Sequence, residues 1–266
     1  MNDVMGEITE RISVRKEGAL GWLVFNNPAR RNAVSVDMWE AIPRVVDGFE
    51  ADAEIRVIVL AGAGDKAFVS GADISQFESQ RSGPEAVQHY EEIAEGAQAR
   101  LQHCAKPVVA MIRGYCLGAG VNIANVCDLR IASDDARFGI PAARMGLGYR
   151  ASSMKNLVDI VGAARAREIM ITARQFTAAE AKEMGLVHRV AAVADLERVT
   201  RDYCEMIAAN APLTMGAAKR IIGELSKKDF DAARCKSWVK ECFDSEDYAE
   251  GRKAFMEKRK PVFKGK

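Results

Sequence analysis

Two turns built from small residues carry the first chemistry this chain offers. Lys106 to Ser133, KPVVAMIRGYCLGAGVNIANVCDLRIAS, opens with a Val-rich run after a proline, breaks at Gly114 and breaks again at Gly118-Ala119-Gly120. The run reads as a buried strand, the breaks as turns, and VNIANVC as a buried helix that hands over to a second strand at Asp128. The first N–H groups of such a helix have no intrahelical acceptor, so they face whatever occupies the turn and favour negative charge there. Val57-Ile-Val-Leu-Ala is another buried strand, and it too leads into a small-residue stretch, GAGDKAFVSGADI from Gly62 to Ile74. Two turns of this kind can aim two backbone donors at one oxygen. The same Gly-Ala-Gly also lets a helix pack close to a sheet, and the residues alone leave both readings open.

AFVSGADI at Ala67 to Ile74 and GYCLGAGVNIANVCDLRIAS at Gly114 to Ser133, about fifty residues apart, resemble the two oxyanion-hole motifs of the crotonase (enoyl-CoA hydratase/isomerase) superfamily. The resemblance implies an α/β fold, a spiral of repeated ββα units over residues 1–195 followed by a helical oligomerisation segment over 196–266. It implies that the N–H groups of Ala72 and Ala119 receive a thioester oxygen, with Gly71, Asp73, Ile74 and Gly118 beside the bound acyl-CoA. Asn27-Pro-Ala-Arg-Arg-Asn-Ala33 looks like the family loop next to the CoA nucleotide, which makes Arg30, Arg31 and Ala33 contacts; on residue type alone this is a polar surface turn that could hold phosphate. EGRKAFMEKRKPVF near the C-terminus resembles the family signature in which Phe255 and Lys258 reach a neighbour's CoA. The implied assembly is a homotrimer or a dimer of trimers, and the implied chemistry needs no cofactor besides the coenzyme A carried by the substrate.

The side chains that would decide the reaction depart from the pattern. Hydratases of the superfamily carry one glutamate on the helix after the second turn and another after the proline of a following loop, a pair that divides acid and base work. The matching positions here are Asn122 and Ala142. Neither can take a proton, and isomerases that keep only the second glutamate are excluded by the same Ala142. The loop Met145-Gly-Leu-Gly-Tyr-Arg-Ala-Ser-Ser has the outline of the dehalogenase and decarboxylase branches. A dehalogenase aspartate is absent at Arg150, whereas decarboxylases related to methylmalonyl-CoA decarboxylase place a tyrosine where Tyr149 stands. An unperturbed phenol donates a hydrogen bond at neutral pH and is no base. The reading is lyase-type, hydratase-like chemistry on an atypical acyl-CoA, with Tyr149 and Asn122 as the acting side chains. Decarboxylation of a malonyl- or methylmalonyl-type thioester is the second reading, and an acyl-CoA binder without turnover the third. A dinucleotide-dependent oxidoreductase fits poorly, since Gly118-Ala-Gly lacks the third glycine of that fingerprint.

The rest of the chain must position these groups. At 266 residues it suits one large core or two unequal domains, and a net charge of +1 gives no reason to expect nucleic acid or an anionic membrane as partner. No apolar run approaches a membrane span, and the polar start MNDVMGEITE has no secretion pattern, so a cytoplasmic location is expected. Six cysteines without a CxxC pair and only three histidines read as reduced core thiols and exclude an obvious zinc site. The pattern predicts a hairpin from Ile12 to Asn26, a helix from Ser35 to Asp52 containing Pro43, and a second helix from Pro84 to His103. Further on it predicts a capping box at Thr177 to Glu180 and a strand from Leu186 to Val190 that carries His188. Beyond Ala194 it predicts helices alone, over 196–209, 212–225, 230–243 and 245–258. Trp22, Phe68, Phe77, Phe138 and Tyr149 are the aromatic candidates for a pocket.

Overall fold

A computed structural model describes residues 8–73 and 84–266. The chain begins with an antiparallel hairpin, β1 (Ile12–Glu17) and β2 (Leu20–Phe25), in which Ile12 faces Phe25 and Glu17 faces Leu20. Helix α1 (Val36–Ala51) follows, with Pro43 inside it and Met38, Trp39, Ile42, Val45, Val46 and Phe49 turned into the core.

Three successive units then repeat one pattern of strand, short strand and helix. They are β3 (Val57–Gly62), β4 (Ala67–Val69) and α2 (Pro84–Gln102); β5 (Val108–Ile112), β6 (Tyr115–Leu117) and α3 (Ala119–Val126); and β7 (Leu129–Ser133), β8 (Arg137–Gly139) and α4 (Ala151–Thr172). In each unit the first strand enters a sheet that runs β1-β2-β3-β5-β7 and ends on a strand at Arg189–Ala191, and the second enters a smaller sheet that runs β4-β6-β8 and ends on a strand at Phe176–Thr177. Pairings between successive units are parallel, as a crossover through a helix requires. This is the ββα spiral expected from the sequence. The first strands are near-continuous β-branched and aliphatic runs because both faces of their sheet are covered; every residue of Val57 to Ala61 is buried.

β9 (Phe176–Thr177), α5 (Ala178–Glu183) and β10 (Arg189–Ala191) close the sheets. The capping box is present: the Glu180 N–H donates to Thr177 Oγ1 at 3.2 Å and the Thr177 N–H to Glu180 Oε2 at 2.7 Å. The strand expected from Leu186 begins only at Arg189. The reason is local: the Leu186 and Val187 amides turn back to the Ala181 carbonyl, and the Arg130 N–H donates to the His188 imidazole Nδ1 at 3.1 Å and not to a backbone carbonyl, so the ladder starts three residues later. Ser35 stands at the N-cap of α1 with extended backbone, but its hydroxyl makes no capping bond.

Four helices complete the chain: α6 (Leu196–Ala208), α7 (Pro212–Leu225), α8 (Ala232–Phe243) and α9 (Glu246–Met256). α8 starts two residues later than expected because Asp231 caps it, accepting from the Arg234 N–H at 2.9 Å. α6 packs Leu196 and Cys204 onto Trp22, Val59, Val109 and Ile131, covering the outer face of the larger sheet. The tail returns to the core: the Phe263 carbonyl accepts from Arg56 at 2.7 Å, and buried Asp247 accepts from the Lys264 and Gly265 amides. Ile222, Leu225, Phe243, Phe255 and Met256 on these helices stay exposed. Four of the six thiols are buried and the other two half-buried, all reduced. Among the described residues no helix is long and apolar enough to cross a membrane, and no cluster of His, Cys, Asp and Glu could hold a metal.

Candidate active site

The two small-residue turns meet. A methyl group placed on Gly118 would stand 3.9 Å from the Gly71 Cα, so the turn after β4 and the turn opening α3 lie about one methyl group apart. Gly118 has φ 51° and ψ −110°, a backbone that a side chain would strain. Gly120 answers a different need: a methyl there would fall 2.2 Å from the Val69 carbonyl oxygen, so only glycine lets α3 approach β4 this closely. Ala119 is the first residue of α3 and its N–H has no intrahelical acceptor. The neighbours of Ala72 are engaged, since the Val34 N–H donates to the Gly71 carbonyl and the Asp73 N–H to the Val34 carbonyl, both at 2.9 Å. Among the described residues neither the Ala72 nor the Ala119 amide donates a hydrogen bond outside a regular element. At the far end of α3, buried Arg130 donates to the Ala124 and Cys127 carbonyls at 3.0 and 2.8 Å, fixing the helix with a cation at its C-terminus.

Both turns open onto a cavity of about 250 Å³ whose lining includes Gly71, Ala72, Gly118, Ala119, Asn122, Ala142 and Tyr149. Seven of the expected site residues are thus together. Asn122 is buried, one turn into α3, and its Oδ1 accepts the Tyr149 hydroxyl at 2.6 Å. Burial pushes the Tyr149 phenol above its ordinary range, a shift the Asn122 bond only partly offsets. The phenol therefore stays protonated at any working pH, as a donor and not a base.

The rest of the cavity lining was not foreseen. Trp39 from α1 and Tyr90, Glu91 and Gln98 from α2 belong to it, with Arg150 and Ser153 from the start of α4. Trp39 Nε1 donates to the Tyr90 hydroxyl at 3.0 Å, Arg150 donates to the Glu91 carbonyl at 2.8 Å, and Ser152 donates to Glu95 at 2.6 Å. No local sequence signal marks these residues, because what unites them is the packing of α2 against α4. Of the aromatic candidates among the described residues, only Tyr149 lines the cavity. Phe68 and Phe138 are fully buried in the core, Trp22 sits under α6, and Phe77 lies outside the described residues.

Beside the cavity, and sharing Ser70 and Ala72 with it, lies a hollow of about 330 Å³ lined by Ala29, Arg30, Arg31, Ala33 and Asp73. Arg30 is paired to Asp73 at 3.6 Å, which makes Asp73 a support for Arg30. Arg31 lies over the Tyr115 ring at 5.2 Å. Asn32, fully buried, holds this loop by donating to the Ala63 and Ala67 carbonyls at 2.9 and 2.7 Å. Ile74 lies outside the described residues. Phe255 and Lys258 line neither the cavity nor the hollow; Phe255 projects into solvent at 82% exposure on α9.

Comparison with known proteins fits this geometry. The sequence profile described as Enoyl-CoA hydratase/isomerase matches residues 15–266. The chain belongs to that family, within the crotonase superfamily. A short-chain-enoyl-CoA hydratase of Clostridium acetobutylicum is 33% identical, over 94% of this chain and 95% of its own length. A peroxisomal Delta(3,5)-Delta(2,4)-dienoyl-CoA isomerase of Arabidopsis thaliana is 30% identical, over 96% of each chain. Among solved structures, an enoyl-CoA hydratase/isomerase family protein from Hyphomonas neptunium superposes with a TM-score of 0.93 at 35% identity, covering 97% of this chain and 99% of that one. Family membership carries the fold and the paired turns. It leaves the reaction to the side chains that line the cavity, Asn122, Ala142 and Tyr149 among them.

Proposed function

We propose that the protein is an acyl-CoA-binding enzyme that holds a thioester enolate on the Ala72 and Ala119 amides and performs lyase-type, hydratase-like chemistry on an atypical acyl group. The close approach of the Gly71 and Gly118 turns carries the reading, because it brings two free amides to the lining of one cavity. As a thioester loses an α-proton or an α-carboxylate, or gains a nucleophile at Cβ, negative charge gathers on its oxygen. A donor fixed at that oxygen before the charge develops contributes roughly 3 kcal/mol to lowering the barrier. Arg30 and Arg31 would take CoA phosphates, Asn122 would orient the substrate or a water, and Tyr149 would return a proton. The working form is a homotrimer or a dimer of trimers in the cytosol, with Phe255 and Lys258 reaching a neighbour's CoA and no cofactor besides the substrate's own CoA.

A malonyl- or methylmalonyl-type decarboxylase is the second reading, favoured by Asn122 and Ala142, since loss of CO2 creates the enolate without a base. Calorimetry with CoA thioesters tests the binding, and mass spectrometry over malonyl, methylmalonyl, enoyl and aryl thioesters separates the reactions. Absence of affinity for any CoA ester, with a monomer in light scattering, would overturn the proposal.

A further inference from the structure

The carboxylate missing from positions 122 and 142 has a counterpart on another element. Among the described residues lining the cavity, Glu91 alone carries a carboxylate. It sits half-buried on α2, on the face that also bears Glu95 and Gln98, one and two turns further along. That face is the one packed against the start of α4: Glu95 accepts from Ser152 and pairs with Arg150, and Gln98 is buried in the cavity wall. Arg150 also grips the Glu91 main-chain carbonyl at 2.8 Å, which fixes this turn of α2 beside Tyr149. The Glu91 carboxylate itself takes part in no hydrogen bond or ion pair among the described residues, whereas its neighbour Glu92, facing solvent, accepts from Gln88. A carboxylate on a cavity wall with no partner of its own has its lone pairs free for a proton of the ligand.

We infer that Glu91 is the general base of this site, taking the α-proton of the bound thioester from the α2 side. The inference rests on the proposed acyl-CoA reading and deepens it. In the step, the carboxylate oxygen forms the new O–H bond and the Cα–H pair becomes the Cα–C1 double bond. The carbonyl pair moves onto the thioester oxygen, where the Ala72 and Ala119 amides receive it. Return of that proton from Glu91 to the acyl chain, directly or through Tyr149 as it gives up its own proton and takes the one on Glu91, restores both side chains, so no further reactant is needed. Tyr149 cannot share the base role because it stays protonated.

Butyryl-CoA in D2O tests this without knowledge of the natural substrate. The parent protein should exchange the α-protons for deuterium, read by proton NMR, and Glu91→Gln should do so at least ~10²-fold more slowly while calorimetry gives the same affinity. Glu91→Asp should retain intermediate exchange, Glu92→Gln should behave as the parent, and the acid limb of the parent's rate should vanish in Glu91→Gln. A purely structural role for Glu91 would change affinity or folding and leave that limb in place. Exchange at the parent rate in a folded Glu91→Gln protein would overturn the inference, and so would a parent that binds butyryl-CoA and exchanges nothing. A parent that binds no CoA ester would overturn the proposed function itself.

Discussion

One wall of the cavity is made of backbone and the other of side chains, and they answer to different constraints. The backbone wall, Gly71-Ala72 and Gly118-Ala119, presents amides whose positions follow from glycine conformations and from the close approach of α3 to β4. Its chemistry cannot change without moving the main chain. The side-chain wall, Asn122, Ala142, Tyr149 and Glu91, comes from α2, α3 and the loop before α4. There a single substitution changes the available acid or base while the fold persists. On the proposed function, the first wall would fix what intermediate can form, and the second what becomes of it.

The largest effect should come from disturbing the backbone wall. Gly120→Ala puts a methyl 2.2 Å from the Val69 oxygen, so α3 and β4 must part and the Ala119 amide must move with them. Turnover or α-proton exchange should fall about 10²- to 10³-fold, with stability reduced by about 1–3 kcal/mol in chemical denaturation. Unchanged exchange would mean the Ala119 amide does not bear the charge. On the side-chain wall, Tyr149→Phe keeps the ring and removes the hydroxyl bonded to Asn122. Turnover of the best panel substrate should drop roughly 10²-fold at nearly constant affinity, and parent-like turnover would reduce Tyr149 to packing.

Asn122→Glu with Ala142→Glu would sharpen the comparison by a gain. The parent should hydrate crotonyl-CoA far more slowly than the order of 10 per second usual for enzymes, and the double variant should be about tenfold faster or better. A parent already at ordinary enzyme rates would show that the acid and base have been misplaced. Arg31→Ala should leave rates alone and weaken CoA-ester binding by roughly tenfold or less, as expected for one charge-assisted contact near solvent.

The last effect lies away from both walls and bears on stability alone. Burial of its ring, then the Arg130 charge, lowers the His188 pKa to about 4. The unfolded chain, with a histidine near 6.5, takes its proton first as pH falls, so stability should decline from about pH 6.5 down to about 4 and level off below. His188→Gln should flatten that part of the pH-stability curve.

How far the sequence could be read follows the same division. Gly118-Ala-Gly120 and Gly71-Ala-Asp73 were legible because a turn of fixed backbone geometry demands particular residues at consecutive positions. The ββα repeats were legible because buried parallel strands are continuous apolar runs. Asn122 and Ala142 could be placed relative to those turns. Glu91, Gln98 and Arg150 could not, since Glu91 and Arg150 meet across 59 residues of chain through packing of α2 on α4. The pocket aromatics went astray for a related reason: Phe68 and Phe138 look alike as core or as cavity lining until their neighbours are known. Even the late start of β10 turned on local bonds, the Leu186 and Val187 amides going to Ala181 and the His188 imidazole replacing a carbonyl as acceptor.

The most direct test of the backbone wall needs no turnover. Butyryl-CoA labelled with carbon-13 at the thioester carbonyl, bound to the parent protein, reports the polarisation of that carbonyl in its NMR shift. Two amides converging on the oxygen draw electron density from the carbon. The bound resonance should move downfield of free butyryl-CoA and return most of the way in Gly120→Ala. A saturated complex whose carbonyl resonates where the free ester does would contradict the account.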